Sequence, residues 1–244
     1  MIVSLALTAV LWPSSLQEHC LLTENTATVG YAQNSRGDFL YCESINQLSE
    51  NEFHIDYVRN KHAFATKELI YSSNLSLPKV VQFDLRSAER REASIDNTDV
   101  LLTYQANRTK KISTAKIKRA DIDVIDAGFD NFIRAHWSEL KDGTLVNFNF
   151  ASMTQLRTLP LRLKSTPDEN CVDKRDDDSQ HSFCFVVEID NALLRFLFSN
   201  MKLTYDNDRR LHTYRGPVNI QDDGENTQNA TIYYYYKNDY LINQ

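Results

Sequence analysis

One segment of this chain has the apolar spacing of an amphipathic helix, while almost every other apolar segment has the spacing of a strand. In residues 126–140 the apolar side chains fall on one helical face: Phe129, Phe132, Ile133, Trp137 and Leu140. Asp126 lies where a side chain can cap the first turn, and Gly143 lies where a helix can end. The fold must therefore bury one helical face against a structure made mostly of strands.

Elsewhere, apolar and polar side chains alternate, which predicts β-strands. Residues 53–58 read Phe-His-Ile-Asp-Tyr-Val, and residues 144–150 alternate even more regularly. Polar turn residues separate these segments at short intervals, which favours an antiparallel meander over βαβ units. We therefore predict a mainly β fold: a single curved antiparallel sheet, or half-open β-barrel, wrapped around one amphipathic helix at about residues 126–140.

Two segments have a less regular pattern. Residues 86–93 have good helix propensity but no apolar stripe, and we interpret them as a loop or a solvated strand edge. Residues 191–199 are apolar almost all round, and Asp190 or Asn191 could cap a helix there. We expect a second short helix at about 191–199.

The N-terminal segment predicts export. Residues 2–12 form an uncharged apolar run of the length of a signal-peptide core, too short for the ~20 residues of a membrane span. No Lys or Arg precedes the run and no clear A-x-A site follows it, so a buried N-terminal strand is the alternative. We predict a signal peptide over residues 1–15, an N-terminal extension over 16–36, one β-rich domain over 37–244, and a periplasmic or otherwise extracytoplasmic location.

The four cysteines fit an oxidising compartment. Pairing sequence neighbours gives the disulfides Cys20–Cys42 and Cys171–Cys184, one of three possible connectivities. The polar segment 173–178 between the second pair is too hydrophilic to order itself, and a disulfide would limit its fraying. Unpaired thiols in a reducing compartment are the alternative.

Charge and motifs exclude several classes of function. A net charge of -6 and a pI near 5.5 argue against a nucleic-acid partner. No G-x-S-x-G, C-x-x-C or H-x-x-x-H motif occurs, so the sequence predicts no catalytic residue, no metal ligand and no cofactor. The acidic residues 176–178 lack the glycine and the bidentate glutamate of a calcium-binding loop.

Four separate motifs occur along the chain from residue 37 onward: Gly37-x-Phe39-Leu40-Tyr41-x-Glu43; Asp126-Ala127-Gly128-Phe129-Asp130-x-Phe132; Trp137 before Leu140-x-x-Gly143; and Tyr205-Asp206 with Arg209-Arg210-Leu211 and Tyr214-x-Gly216-x-x-Asn219-Ile220. Together they resemble a family of exported bacterial β-rich proteins of unknown function. That family has no settled activity, so the resemblance assigns no catalytic role. By architecture alone, strands around an enclosed helix are similar to periplasmic lipoprotein carriers with a half-open barrel, and fold does not give function.

The surplus of inward-facing aromatic residues predicts a binding module for an apolar small molecule or lipid. The candidate ligand-binding residues lie on the helix and on residues 144–150: Phe129, Phe132, Ile133, Trp137, Phe148 and Phe150. The alternative is that these side chains only fill the core. The protein would then be a cell-envelope scaffold that binds an envelope protein partner and no small ligand.

Overall fold

The computed structural model describes residues 9–167, 183–190 and 200–242. In chain order the described strands are β1 (Ala9–Val10), β2 (Thr26–Gln33), β3 (Phe39–Gln47), β4 (Glu52–Arg59), β5 (His62–Ile70), β6 (Lys79–Asp84), β7 (Glu89–Ile95), β8 (Asp99–Gln105), β9 (Ser113–Lys118), β10 (Val124–Ile125), β11 (Val146–Ser152), β12 (Arg157–Thr166), β13 (Phe183–Ile189), β14 (Met201–Tyr205), β15 (Leu211–Pro217), β16 (Asn229–Tyr236) and β17 (Leu241–Ile242). The described helices are α1 (Ser14–His19), α2 (Gly128–Ala135) and α3 (Trp137–Lys141), with 3₁₀ turns at Arg119–Asp121 and Lys237–Tyr240.

Fifteen of these strands form one large open, curved sheet, in the order β10-β11-β12-β13-β14-β15-β16-β2-β3-β4-β5-β6-β7-β8-β9. It consists of two meanders, β2 to β9 and β11 to β16, joined side by side through the antiparallel pairing of β16 with β2. Within the described strands only the short pair β10–β11 is parallel. The prediction of a mainly β fold built on a single curved, essentially antiparallel sheet is confirmed.

The helical segment differs from the prediction. It is divided into α2 and α3, because His136 leaves the helical conformation at φ -97° and ψ 16°. The N-cap of α2 is Ala127, which makes no side-chain capping hydrogen bond. The predicted capping role of Asp126 is therefore wrong, because its carboxylate is engaged elsewhere, as described below.

Three apolar clusters hold the fold together. The first lies on one face of β2 to β8 and includes Tyr41, Leu102 and Ile125. The second packs α2 and α3 against β11 to β15, and the third packs α1 against the opposite face of β2 to β4. The sheet thus carries apolar packing on both of its faces.

The N-terminal segment is part of this packing. Trp12 is buried and its ring lies 5.6 Å from that of Tyr240, while β1 pairs with β17 in a separate two-stranded sheet. The strand β2, which lies within the predicted extension 16–36, sits in the interior of the large sheet. Cleavage of a leader remains a prediction.

The cysteines are oxidised where the structure describes them. Cys20 and Cys42 form the predicted disulfide, which ties the end of α1 to β3. Cys184 is also disulfide-bonded, and Cys171, its predicted partner, lies outside the described residues. The predicted second helix at 191–199 lies outside them as well.

The segment 86–93 is not a loop or a solvated edge, so that interpretation is wrong. Most of it belongs to β7, an interior strand of the sheet, in which Glu89 and Arg91 are buried. These charged side chains are tolerated inside because they pair with each other, and Glu89 also accepts a hydrogen bond from Tyr104 on β8.

Gly128 sets how closely α2 approaches the segment that connects β5 to β6. A Cβ atom at this position would lie 2.1 Å from the carbonyl oxygen of Ser76 and 2.7 Å from Pro78. No side chain fits there unless the backbone of one segment moves.

We therefore expect Gly128→Ala to lower the free energy of unfolding by about 2–3 kcal/mol, because backbone must shift to admit the methyl group. Urea denaturation followed by circular dichroism measures this. The matched control is Gly224→Ala, whose Cβ would meet only side-chain ends, those of Asn226 at 2.9 Å and Asp222 at 3.3 Å. Equal midpoints for the two variants would contradict the packing argument.

Candidate functional site

A row of polar side chains crosses the core face of four neighbouring strands. Lys67 on β5 pairs in register with Gln82 on β6, Gln82 with Arg91 on β7, and Arg91 with Tyr104 on β8. Lys67, Gln82 and Arg91 are 4%, 1% and 9% exposed. We call these four residues the polar row. On each strand they share a face with apolar residues of the first cluster, so the charge lies inside the core.

A buried ion pair anchors one end of this row. Lys67 Nζ lies 2.8 Å from Asp126 Oδ1, and the two side chains are 5% and 3% exposed. Asn219 Nδ2 donates to Asp126 Oδ2 at 2.9 Å, and the amide of Ala127 donates to Oδ1 at 2.8 Å. Both carboxylate oxygens are therefore satisfied, which a buried charge requires.

The backbone at Asp126 is arranged to make this pair. Asp126 has φ of +44°, in the left-handed region that Asp and Asn tolerate better than other L residues. The preceding residue Ile125 donates its amide to the Ser76 carbonyl, and Asp126 accepts from the amide of Phe129. The residue between β10 and α2 thus turns its carboxylate toward β5 instead of capping the helix.

Glu43 on β3 is the next acid along this interior. The Tyr234 hydroxyl donates to Glu43 Oε2 at 3.2 Å. Burial raises the pKa of Glu43, and the nearby Lys67 ammonium opposes that rise. Burial also raises the pKa of Tyr41, Tyr57 and Tyr234 well above the ordinary tyrosine value, so all three hydroxyls stay protonated.

Two further ion pairs continue the cluster. Arg91 lies 2.8 Å from Glu89 Oε1, which also accepts a hydrogen bond from the Tyr104 hydroxyl at 3.2 Å. Arg86 binds Asp84 through two parallel hydrogen bonds of 3.1 and 2.7 Å. Acids and bases inside the sheet are thus paired locally.

Some buried polar atoms in this interior have no hydrogen-bond partner among the described protein atoms: Tyr41 OH, Gln82 Oε1, Glu89 Oε2 and Arg91 Nε. Folded proteins pair most such atoms. The interior therefore keeps hydrogen-bonding capacity that the protein itself does not use.

The loop between β15 and β16, residues 218–228, covers this cluster, and we call it the covering loop. Gln82 donates to the Asn219 carbonyl at 3.0 Å, and Arg86 donates to the Gln221 carbonyl at 2.9 Å. Farther out, Asp223 accepts from Arg59 and Arg86 at 3.0 and 2.7 Å. Because Ile220 of the same loop is buried in the first cluster, the polar row is closed from solvent on this side.

An open groove lies at the other end of β6. It has a volume of about 520 Å³ and forms where the β5–β6 and β7–β8 turns meet the residue after β9. We call it the rim groove and define it by Ile70, Tyr71, Leu77, Lys79, Ile95 and Arg119. Its size lies within the ~300–1,000 Å³ typical of small-molecule sites.

The six predicted ligand-binding residues lie elsewhere. Phe132, Ile133, Trp137 and Phe148 are buried, whereas Phe129 and Phe150 are partly buried. Their rings pack on one another and on β13 and β14: Phe132–Phe148 at 5.0 Å, Trp137–Phe185 at 5.3 Å and Trp137–Tyr205 at 5.6 Å. The structure brings these residues together as a packed core, and none of them lines the rim groove.

Sequence reasoning missed the polar interior, although one signal was present. In β5 the side chains of Ala65, Lys67 and Leu69 share the inward face, so a lysine lies where the alternation predicts an apolar residue. A charge in such a position indicates a buried partner. The sequence alone did not reveal that the partner is Asp126, 59 residues away.

A scan against protein-family models and a search of curated proteins each found no match for this chain. Within the residues that the structure describes, no group of His, Cys, Asp or Glu side chains has the arrangement of a metal site. No helix in that part of the chain is long and apolar enough to span a membrane.

Replacing one partner of the buried ion pair should destabilise the protein strongly. We expect Lys67→Met to lower the free energy of unfolding by about 3–5 kcal/mol, because the carboxylate of Asp126 would remain buried without a counter-charge. Adding Asp126→Asn should recover part of that loss, since Asn tolerates the left-handed backbone and carries no charge. Chemical denaturation of both variants measures the effect; a double variant less stable than Lys67→Met would contradict it.

Glu43 should make stability depend on pH. Its folded pKa lies above the ordinary 4.5, so the folded protein holds a proton that the unfolded chain releases. Stability therefore falls as pH rises from about 4.5 through the folded pKa. We expect Glu43→Gln to gain stability relative to the wild type between pH 4 and pH 7 in urea titrations. Exposed Glu50→Gln is the control; parallel pH profiles for wild type and Glu43→Gln would refute the assignment.

Proposed function

We propose that this protein is a non-enzymatic, extracytoplasmic binding module that holds an apolar or lipid-like ligand in the rim groove. The observation that carries the proposal is an open groove of about 520 Å³ whose walls include Ile70, Leu77 and Ile95. Ile70 is 39% exposed and Ile95 is partly exposed, so apolar surface faces solvent there without a partner in the described chain. Burying such surface against a ligand is favourable at about 25 cal/mol per Å².

The groove replaces the helix face as the proposed ligand site. The rings of the helix face already contact one another at 5.0–5.6 Å, so a ligand would have to displace well-packed core. In this proposal the curved sheet acts as the half-open barrel expected from the sequence. The helices α2 and α3 fill one part of it, and the ligand occupies its rim.

The chemistry of the groove supports binding better than catalysis. Its described lining contains no histidine and no cysteine. Burial raises the pKa of Tyr71, with Asp126 and Asp130 adding to the effect, so this hydroxyl is a poor base at neutral pH. The charged groups of the polar row are enclosed beneath the covering loop and do not line the groove.

Extracytoplasmic location is supported by the Cys20–Cys42 disulfide, because such bonds persist mainly in oxidising compartments.

The alternative is a cell-envelope scaffold that binds a protein partner. The observation that favours it is β9, which is an edge of the large sheet and pairs only with β8 in the described part of the chain. Against it, Lys116 and Lys118 stand on that edge, and lysines discourage strand addition. Crosslinking in intact cells that captures one specific protein through β9 would favour the scaffold.

Blocking the groove should abolish binding of an apolar probe. We expect Ile70→Glu to weaken binding of the neutral dye Nile red by about tenfold or more, because a charge would enter the apolar wall. The matched control is Leu101→Glu, at a side chain of similar exposure (43% against 39%) that does not line the groove.

Fluorescence titration measures this affinity, and native mass spectrometry of protein purified from its own host tests for a bound lipid. Equal loss of dye binding in both variants would contradict the proposed site. No dye binding by the wild type and no co-purified lipid would overturn the function.

A further inference from the structure

We propose that the rim groove recognises a free long-chain fatty acid, whose carboxylate pairs with Lys79 and Arg119 and whose alkyl chain lies on Leu77 and Ile95. The inference rests on the proposed function and names its ligand class. It is carried by the distribution of charge around the groove.

The two cations at the groove, Lys79 and Arg119, have no acidic partner among the described residues. Within the residues that the structure describes, neither the Lys79 ammonium nor the Arg119 guanidinium forms an ion pair or a side-chain hydrogen bond. The neighbouring lysines differ: Lys116 and Lys118 lie 3.0 and 3.2 Å from Asp99. Lys79 and Arg119 are therefore free to meet an anion at the groove.

One acidic residue, Asp96, also lines the groove, and a lysine that lies outside the groove offsets its negative charge. Lys116 lies close enough to Asp96 for their charges to interact, and the Asp96 carboxylate accepts the amide hydrogen of Asn97. The lining as a whole thus carries one more positive than negative formal charge. Charge complementarity favours a ligand with a single anionic head.

The orientation of that ligand follows from how exposed the lining side chains are. Lys79 is exposed and Arg119 is partly exposed, whereas Leu77 is buried and Ile95 is partly buried. Moving a charged carboxylate from water onto buried apolar side chains is unfavourable. The head is therefore expected at the rim with Lys79 and Arg119, and the alkyl chain toward Leu77 and Ile95.

A free fatty acid and a diacyl phospholipid both carry an anionic head, and the volume of the groove distinguishes between them. A volume of about 520 Å³ lies in the lower half of the ~300–1,000 Å³ range of sites that hold one small ligand. Two acyl chains and a glycerol headgroup make a larger ligand. We therefore commit to a single-chain free acid over a diacyl phospholipid.

The test compares three probes of equal chain length on the full-length protein: dodecanoate, dodecanol and dodecyltrimethylammonium, each displacing Nile red. We expect dodecanoate to bind about tenfold or more tightly than dodecanol, as one charge-assisted hydrogen bond predicts. The cationic probe should bind most weakly. The double variant Lys79→Gln/Arg119→Gln should bind dodecanoate and dodecanol equally.

The control Arg108→Gln/Lys110→Gln removes the same charge from exposed side chains outside the groove and should keep the preference for the acid. Equal binding of acid and alcohol by the wild type would overturn this inference while leaving the proposed function intact. Binding of none of the probes would overturn both. Capture of phosphatidylglycerol vesicles with no affinity for dodecanoate would also overturn it, since the ligand would then be a diacyl lipid. The comparison of probes on the wild type stands even if a variant fails to fold.

Discussion

The buried ion pair between Lys67 and Asp126 is the interaction on which the arrangement of this protein depends. It joins β5, the segment between β10 and α2 and, through Asn219, the covering loop, which are far apart in the chain. A carboxylate with 3% exposure needs a partner for each oxygen, and here Lys67, Asn219 and the Ala127 amide supply them. The pair therefore links the two meanders to the start of α2, and it explains why a non-glycine residue keeps φ of +44° at this point.

The same demand for partners organises the rest of the interior. Beside Lys67, the register positions on β6 to β8 also carry polar side chains, those of Gln82, Arg91 and Tyr104. Arg91 and Tyr104 both bind Glu89, and the covering loop offers backbone carbonyls to Gln82 and Arg86. Because the charges are enclosed at that end, unpaired apolar surface and unpaired cations are left at the opposite end of β6, in the rim groove. The charged groups beneath the covering loop and the proposed ligand site therefore lie toward opposite ends of β6.

Much of the fold could be predicted because the patterns that indicate it involve residues close together in the chain. Alternation placed Phe53, Ile55 and Tyr57 on the core face, and the i, i+3, i+4 spacing placed Phe132 and Ile133 on the buried side of a helix. The candidate site could not be predicted in the same way. The rim groove draws its walls from residues 70–79, 94–97 and 119, whose proximity follows from strand pairing. The aromatic residues predicted to bind a ligand pack against one another instead, because mutual packing buries large rings as well as contact with a ligand does.

The sequence by itself determined that the chain forms an antiparallel sheet, that one helical segment is amphipathic, and that Cys20 can pair with Cys42, because periodicity and spacing are properties of neighbouring residues. The tertiary structure alone decided that the helical segment breaks at His136, that Asp126 binds Lys67 rather than capping α2, and that residues 86–93 enter the interior of the sheet. The last two outcomes depend on partners distant in sequence, Lys67 for Asp126 and the strands β6 and β8 for β7, and no local pattern reveals those partners.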